Sequence, residues 1–182
     1  MLTTLVMGCD DPEDTGVDDR AGAFDVILDG VRFQPEDMEQ FEDQDLHYYI
    51  DAQAQSEEII YAFSDIEDRN AFMVEREPAI EAYEADQLTF RAPLTYSKFY
   101  DFFDFDTKFG QLKKGQSISN LGSHPDYNND DISSVKCRLN AWTFLWANTN
   151  FNGSSLTCRA INIDNLSDHS FNQIASSLEV TP

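Results

Sequence analysis

Trp146-Ala147-Asn148-Thr149-Asn150-Phe151-Asn152-Gly153 decides how the second half of the chain is read, because it has an earlier counterpart in Tyr100-Asp101-Phe102-Phe103-Asp104-Phe105-Asp106-Thr107. Each is an aromatic residue followed five positions later by Phe. Seven residues beyond each Phe stands a residue of buried type, Leu112 and Cys158. Asn120-Leu121-Gly122-Ser123-His124 then recurs as Asn165-Leu166-Ser167-Asp168-His169, and Asn129-Asp130-Asp131-Ile132-Ser133-Ser134 recurs as Asn172-Gln173-Ile174-Ala175-Ser176-Ser177. Four blocks in one order are an internal repeat, and a repeat constrains architecture more firmly than local propensity does. Each copy consists of short β-type runs separated by Gly, Asn, Asp and Ser, and Arg138 to Trp146 alternates like a strand covered on one face. The expected architecture is two four-stranded Greek keys packed as one β-sandwich.

The rest of the chain differs in charge. The 182 residues are 41% apolar and 13% aromatic, too rich in large hydrophobes for a disordered chain despite a formal net charge of −22. Thirty-four acids against 12 bases argue against nucleic acid and against anionic membrane surfaces, which are held by Lys and Arg. Residues 1–90 carry 25 acids and 4 bases, whereas residues 91–182 carry 9 and 8. Composition therefore divides the chain into residues 1–23, a truncated lipoprotein-type signal with an acidic linker; 24–90, a small acidic α+β domain; and 91–182, the Greek-key domain. The fold class is mainly β with a small α+β part.

In the acidic part, Phe24 to Phe33 reads as two short strands around Asp29-Gly30, a dipeptide favoured in two-residue hairpin turns. Pro35 opens a short helix with Met38 and Phe41 on its apolar face. Leu46, Tyr48 and Ile50 alternate with His47, Tyr49 and Asp51 as in a half-buried strand, and Ile59 to Phe63 is a second strand. Ser64-Asp65-Ile66-Glu67 fits a capping box for a helix that runs to about Arg76 and stops at Pro78. No catalytic motif is present: His47 has no partner of the kind a nucleophilic triad requires, and no GxSxG, HExxH or phosphate-cradling glycine loop occurs. The carboxylates read as a solvated surface.

Met1 to Gly8 is apolar and is followed by Cys9, the pattern of a bacterial lipoprotein signal in which Cys9 is lipidated. The stretch lacks a basic leader and is short, so the pattern asks for further residues upstream. No stretch approaches the ~20 apolar residues of a membrane span. Cys137 and Cys158 are then an even pair, either a disulfide suited to an oxidising compartment or two buried thiols.

The second half resembles the βγ-crystallins. Their Greek-key motif carries Tyr-x-x-x-x-Phe-x-Gly, and the second copy has Trp146, Phe151 and Gly153 at these places; the first keeps Tyr100 and Phe105 but has Thr107 for the glycine, which predicts a less tightly folded first hairpin. Calcium-binding members carry (Asn/Asp)-(Asn/Asp)-x-x-(Ser/Thr)-Ser. Asn129-Asp130-Asp131-Ile132-Ser133-Ser134 satisfies all of it, and the second copy departs only at Gln173. The resemblance covers residues 95–180 or so and implies Ca²⁺ held by the Asp131 carbonyl with Ser133 Oγ at one site and the Ile174 carbonyl with Ser176 Oγ at the other. It makes Asn129, Asp130 and Asn172 side-chain ligands or turn stabilisers. Calcium takes six to eight oxygens, all available from an Asx-rich turn followed by Ser. Gln173 forms turns less well than Asp or Asn, so the second site is expected to be weaker. His124 and His169 occupy equivalent places and read as core or turn residues, since Ca²⁺ prefers oxygen to imidazole.

The sequence thus points to a non-enzymatic, extracytoplasmic, bacterial lipoprotein or secreted protein that binds calcium in a structural or stabilising role. The alternative function is a secreted protein-binding module such as a protease inhibitor.

Overall fold

The computed structural model of the chain describes residues 24–88, 96–125, 127–169 and 171–182, so Cys9 lies outside the described residues. Asp29-Gly30 turns the chain between Asp25–Leu28 (β1) and Val31–Phe33 (β2), both turn residues having positive φ, 48° and 84°, as a two-residue hairpin demands. Pro35 opens a 3-10 turn, Pro35–Phe41, that buries Met38. His47–Ile50 (β3), Ala52–Ser56 (α1), Ile59–Phe63 (β4) and the long helix Ile66–Leu88 (α2) follow.

Three sequence expectations change here. β3 is buried on both faces rather than one, because α2 covers Tyr49 while Tyr48 and Ile50 enter the main core. The cap of α2 is Asp65, whose Oδ1 accepts the Glu67 N–H at 2.6 Å; Ser64 is instead committed to the β1–β2 turn, donating its N–H and hydroxyl to the Asp29 carboxylate at 3.1 and 2.7 Å. Finally, α2 does not stop at Pro78 but runs through it. A proline inside a helix costs about 3 kcal/mol. Beyond it, buried Ile80 packs on the aromatic layer and buried Glu84 chelates Arg159, contacts that offset this cost.

The repeat forms eight strands. The first copy gives Ser97–Tyr100 (β5), Lys108–Leu112 (β6), Gln116–Ile118 (β7) and Ser134–Lys136 (β8); the second gives Trp142–Asn148 (β9), Asn152–Cys158 (β10), Asn162–Ile163 (β11) and Ser177–Thr181 (β12). Each copy lends its third strand to the other's sheet, so the orders are β11-β8-β5-β6 and β10-β9-β12-β7. The second of these is not closed at β10. It continues through a parallel pairing, Ser155 opposite His47 to Cys158 opposite Ile50, into β3, β4, β1 and β2, giving one eight-stranded sheet. The change of composition near residue 90 therefore does not divide the sheet.

β9, expected to be covered on one face, is covered on both. Trp142, Phe144 and Trp146 lie under α2 with Met73 and Ile80, while Leu145 enters the sandwich core with Phe99, Val135, Leu156, Ile163 and Leu178. Alternation gives each face its own set of side chains, and both sets are apolar because helix and sandwich bury one each. The order of layers is small sheet, core, large sheet, helix. Cys137, just after β8 in the small sheet, and Cys158, at the end of β10 in the large one, form a disulfide, so the open choice between bridge and free thiols is resolved as a bridge.

Candidate metal centre at the paired loops

The two Asx-Ser loops face each other across a pseudo-twofold axis, and the main-chain hydrogen bonds repeat on either side of it. The second residue of each loop is left-handed, Asp130 at φ 59° and Gln173 at φ 54°. Its N–H reaches across to the other loop: Asp130 to the Ala175 carbonyl at 3.2 Å, Gln173 to the Ile132 carbonyl at 3.0 Å. The fifth residue ties its loop to its own copy's hairpin, Ser133 N–H to the Tyr100 carbonyl at 2.9 Å and Ser176 N–H to the Trp146 carbonyl at 2.8 Å. The sixth residue closes the same hairpin by its hydroxyl, Ser134 to the Phe102 carbonyl and Ser177 to the Asn148 carbonyl, both 2.7 Å. Even the recurrent Asn-Leu blocks match: Leu121 N–H donates to the Ser176 carbonyl and Leu166 N–H to the Ser133 carbonyl, both at 2.9 Å. Both leucines are fully buried.

This frame places the sequence-predicted residues unequally. Ser133 and Ser176 are buried, Asp131 and Asn172 half-buried, and Asn129, Asp130 and Ile174 exposed. Ser176 Oγ lies 3.2 Å from Asp130 Oδ1, so a carboxylate of the first loop meets a hydroxyl of the second. By the same axis Gln173 stands to Ser133 as Asp130 stands to Ser176, and no hydrogen bond joins that pair among the described residues. Asn129 donates its amide to Asp130 Oδ2. Asn172 Oδ1 is buried and accepts no hydrogen bond among the described residues. Among the described residues one pair of these side-chain oxygens is brought into contact, the Asp130 carboxylate and the Ser176 hydroxyl, hard oxygen donors of the kind that suit Ca²⁺, and no group of three or more His, Cys, Asp or Glu is gathered that could hold a metal ion. The first hairpin, expected to be looser, takes the same left-handed path as the second: Asp104, Phe105 and Thr107 match Asn150, Phe151 and Gly153 in the sign of φ.

Two polar clusters lie elsewhere, and sequence reasoning missed both. His47 Nδ1 is 3.0 Å from Ser155 Oγ, and Arg69 donates through Nη1 to Ser155 Oγ and Thr157 Oγ1, both at 2.9 Å. Ser155 is fully buried, and burial together with the Arg69 charge holds His47 below its ordinary pKa. These conditions disfavour a His-Ser proton relay and favour a structural tie. The second cluster holds α2 to the sandwich: Arg76 to Asp51 at 2.7 Å, and Arg159 to Glu84 at 2.8 Å. Partners separated by 25 to 108 residues leave no local signal, so only the fold reveals them. His169 is buried, as its reading as a core residue expects, and burial pushes it down to about 4, with Asp164 opposing.

No protein-family model and no curated protein matches the chain. Solved structures do. One concerned with the evolution of the eye-lens βγ-crystallin domain fold is 21% identical, covering 50% of this chain and 89% of that one with a TM-score of 0.45. A clostrillin double mutant in complex with nickel is 18% identical, covering 49% and 100% with a TM-score of 0.43, and a βγ-crystallin from Ciona intestinalis is 21% identical, covering 46% and 96% with a TM-score of 0.39. These likenesses concern fold, over about half the chain. With each repeat lending its third strand to the other's sheet, residues 97–181 form a two-motif Greek-key sandwich.

Proposed function

We propose that this protein is a non-enzymatic, extracytoplasmic calcium binder in which Ca²⁺ stabilises the sandwich by tying the paired loops together. The observation that carries the reading is the contact of Asp130 Oδ1 with Ser176 Oγ, which sets a carboxylate and a hydroxyl from opposite repeats side by side. With one carboxylate at this contact and none at its counterpart, the Asp130–Ser176 site is the stronger and the Ser133–Gln173 side, with Asn172, the weaker, which reverses the order expected from the sequence, where the site of Ser176 is the weaker one. Few formal charges place the affinity in the micromolar to millimolar range of extracellular modules. An oxidising compartment agrees with the Cys137–Cys158 bridge, and Cys9 is the residue that would carry a lipid anchor.

Calcium binding to the folded state alone raises stability by about 2.7 kcal/mol at 100-fold excess over Kd, which in a chain of this size lifts the melting temperature by roughly 5–10 °C. Calorimetric titration and melting with and without a chelator measure this. Asp130→Ala or Ser176→Ala weakens the first binding event. No heat of binding and no shift of the melting temperature in the wild type overturn the proposal.

A further inference from the structure

A cleft of about 460 Å³ opens where α1, α2 and the chain after β10 meet, well within the size that holds small organic ligands. Two guanidiniums line it, and both are fixed in place. Arg76 lies against the Phe72 ring at 5.9 Å and grips Asp51 Oδ2 through Nε and Nη2 at 3.0 and 2.7 Å. Arg159 lies on the Trp142 ring at 5.0 Å and chelates Glu84 through Nε and Nη2 at 2.9 and 2.8 Å. Each has one nitrogen that the protein uses weakly or not at all. Arg76 Nη1 makes no hydrogen bond among the described residues. Arg159 Nη1 reaches only Glu77, at 3.3 Å, and that carboxylate is 43% exposed.

Along the same face of α2, one and two turns beyond Arg76, the lining is apolar: Ala79, Ile80 and the ring of Tyr83, which is 40% exposed. Ala160, also in the lining, is held at φ 62°, a left-handed conformation that a non-glycine residue adopts at a cost. Pre-placed cationic donors with an apolar stretch beside them describe a ligand that has an anionic group and an apolar body.

We propose that this cleft binds a small monocarboxylate with an apolar body. Its carboxylate replaces that of Glu77 on Arg159 Nη1, Arg76 Nη1 is the second donor of the cleft, and its body lies on Ala79, Ile80 and Tyr83. Glu77, half-exposed, turns into solvent as the ligand's single charge takes its place on Arg159, so the cleft gains one negative charge. A phosphate would add more negative charge beside Asp51 and Glu84 in a chain of net charge −22, and a neutral acceptor would forgo the ion-pair attraction to the guanidiniums.

The test uses the full chain in chelator, so that calcium plays no part, with 3-phenylpropionate as probe and 3-phenylpropionamide as its neutral control. Binding is followed by titration of amide chemical shifts and by Trp142 fluorescence. Saturable binding of the acid, about tenfold tighter than that of the amide, is expected. Glu77→Ala, which removes a half-exposed competitor, tightens the acid about two- to fivefold. Ala79→Trp fills the cleft and abolishes binding. Absence of saturable binding in both the wild type and Glu77→Ala, equal binding of acid and amide, or binding unaffected by Ala79→Trp overturns the proposal.

Discussion

Thr107 shows what a single departure from a repeat costs. Its φ of 44° matches the 74° of Gly153, its counterpart, but a β-branched residue in the left-handed region stores about 1–3 kcal/mol of strain, part of which the Asp106 carboxylate offsets by accepting the Thr107 N–H at 2.8 Å. Thr107→Gly is expected to stabilise the protein by about 1 kcal/mol, the relief of strain exceeding the entropy a glycine adds to the unfolded chain. Denaturant unfolding checks this, and a lower midpoint contradicts it. At 153 a Cβ would also stand 2.4 Å from Asn148 Nδ2, so that exposed side chain would have to turn aside. The repeat made this position legible, because one copy could be read against the other. The partnership of Asp130 with Ser176 was not: the motif groups residues within a loop, while the backbone exchanges them between loops.

At the scale of elements, α2 is where local rules fail. Its passage through Pro78 departs from propensity, because side chains on its buried face find distant partners that outweigh it. Arg69 is the clearest of these. It is 2% exposed, lies over Phe144 and Trp146 at 5.1 and 5.5 Å, and makes no ion pair among the described residues. Burial lowers its pKa to about 10, with Glu179 opposing, so it remains charged at neutral pH. Arg69→Ala leaves the Ser155 and Thr157 hydroxyls without their donor above a cavity, and a loss of about 3 kcal/mol or more is expected. Arg69→Met keeps the volume and removes the desolvated charge, so it is expected to lose less than half as much. Equal losses in the two variants, measured by denaturant unfolding, contradict this expectation and assign the stability to the guanidinium's hydrogen bonds to Ser155 and Thr157 instead of to its bulk. Hairpins and strands, by contrast, were readable because Asp29-Gly30 and the β-rich run Ile59–Phe63 act over a few residues.

At the scale of the whole molecule, the buried histidines set the response to acid. His169, held at about 4 by burial, stays neutral in the folded protein where the unfolded chain takes up its proton below 6.5, and His47 is shifted in the same direction by burial and by Arg69. A depressed histidine pKa means that the unfolded state binds more protons below 6.5, so stability is full above that pH and falls as pH drops through the window, for His169 down to about 4. The slope is at most about 1.4 kcal/mol per pH unit for each histidine. Melting between pH 7.5 and 5 measures it, and His169→Gln should remove part of the slope; a flat profile in the wild type contradicts the assignment. The sequence by itself determined the Greek-key pair, since an internal repeat with its turn residues is carried by local chemistry that each copy states independently. It also located the two loops. Only the tertiary structure decided that the acidic half extends the sandwich sheet through β3 and covers its outer face with α2, because strand pairing and burial join residues about a hundred positions apart, and sequence spacing carries no record of which distant edge or face a segment will meet.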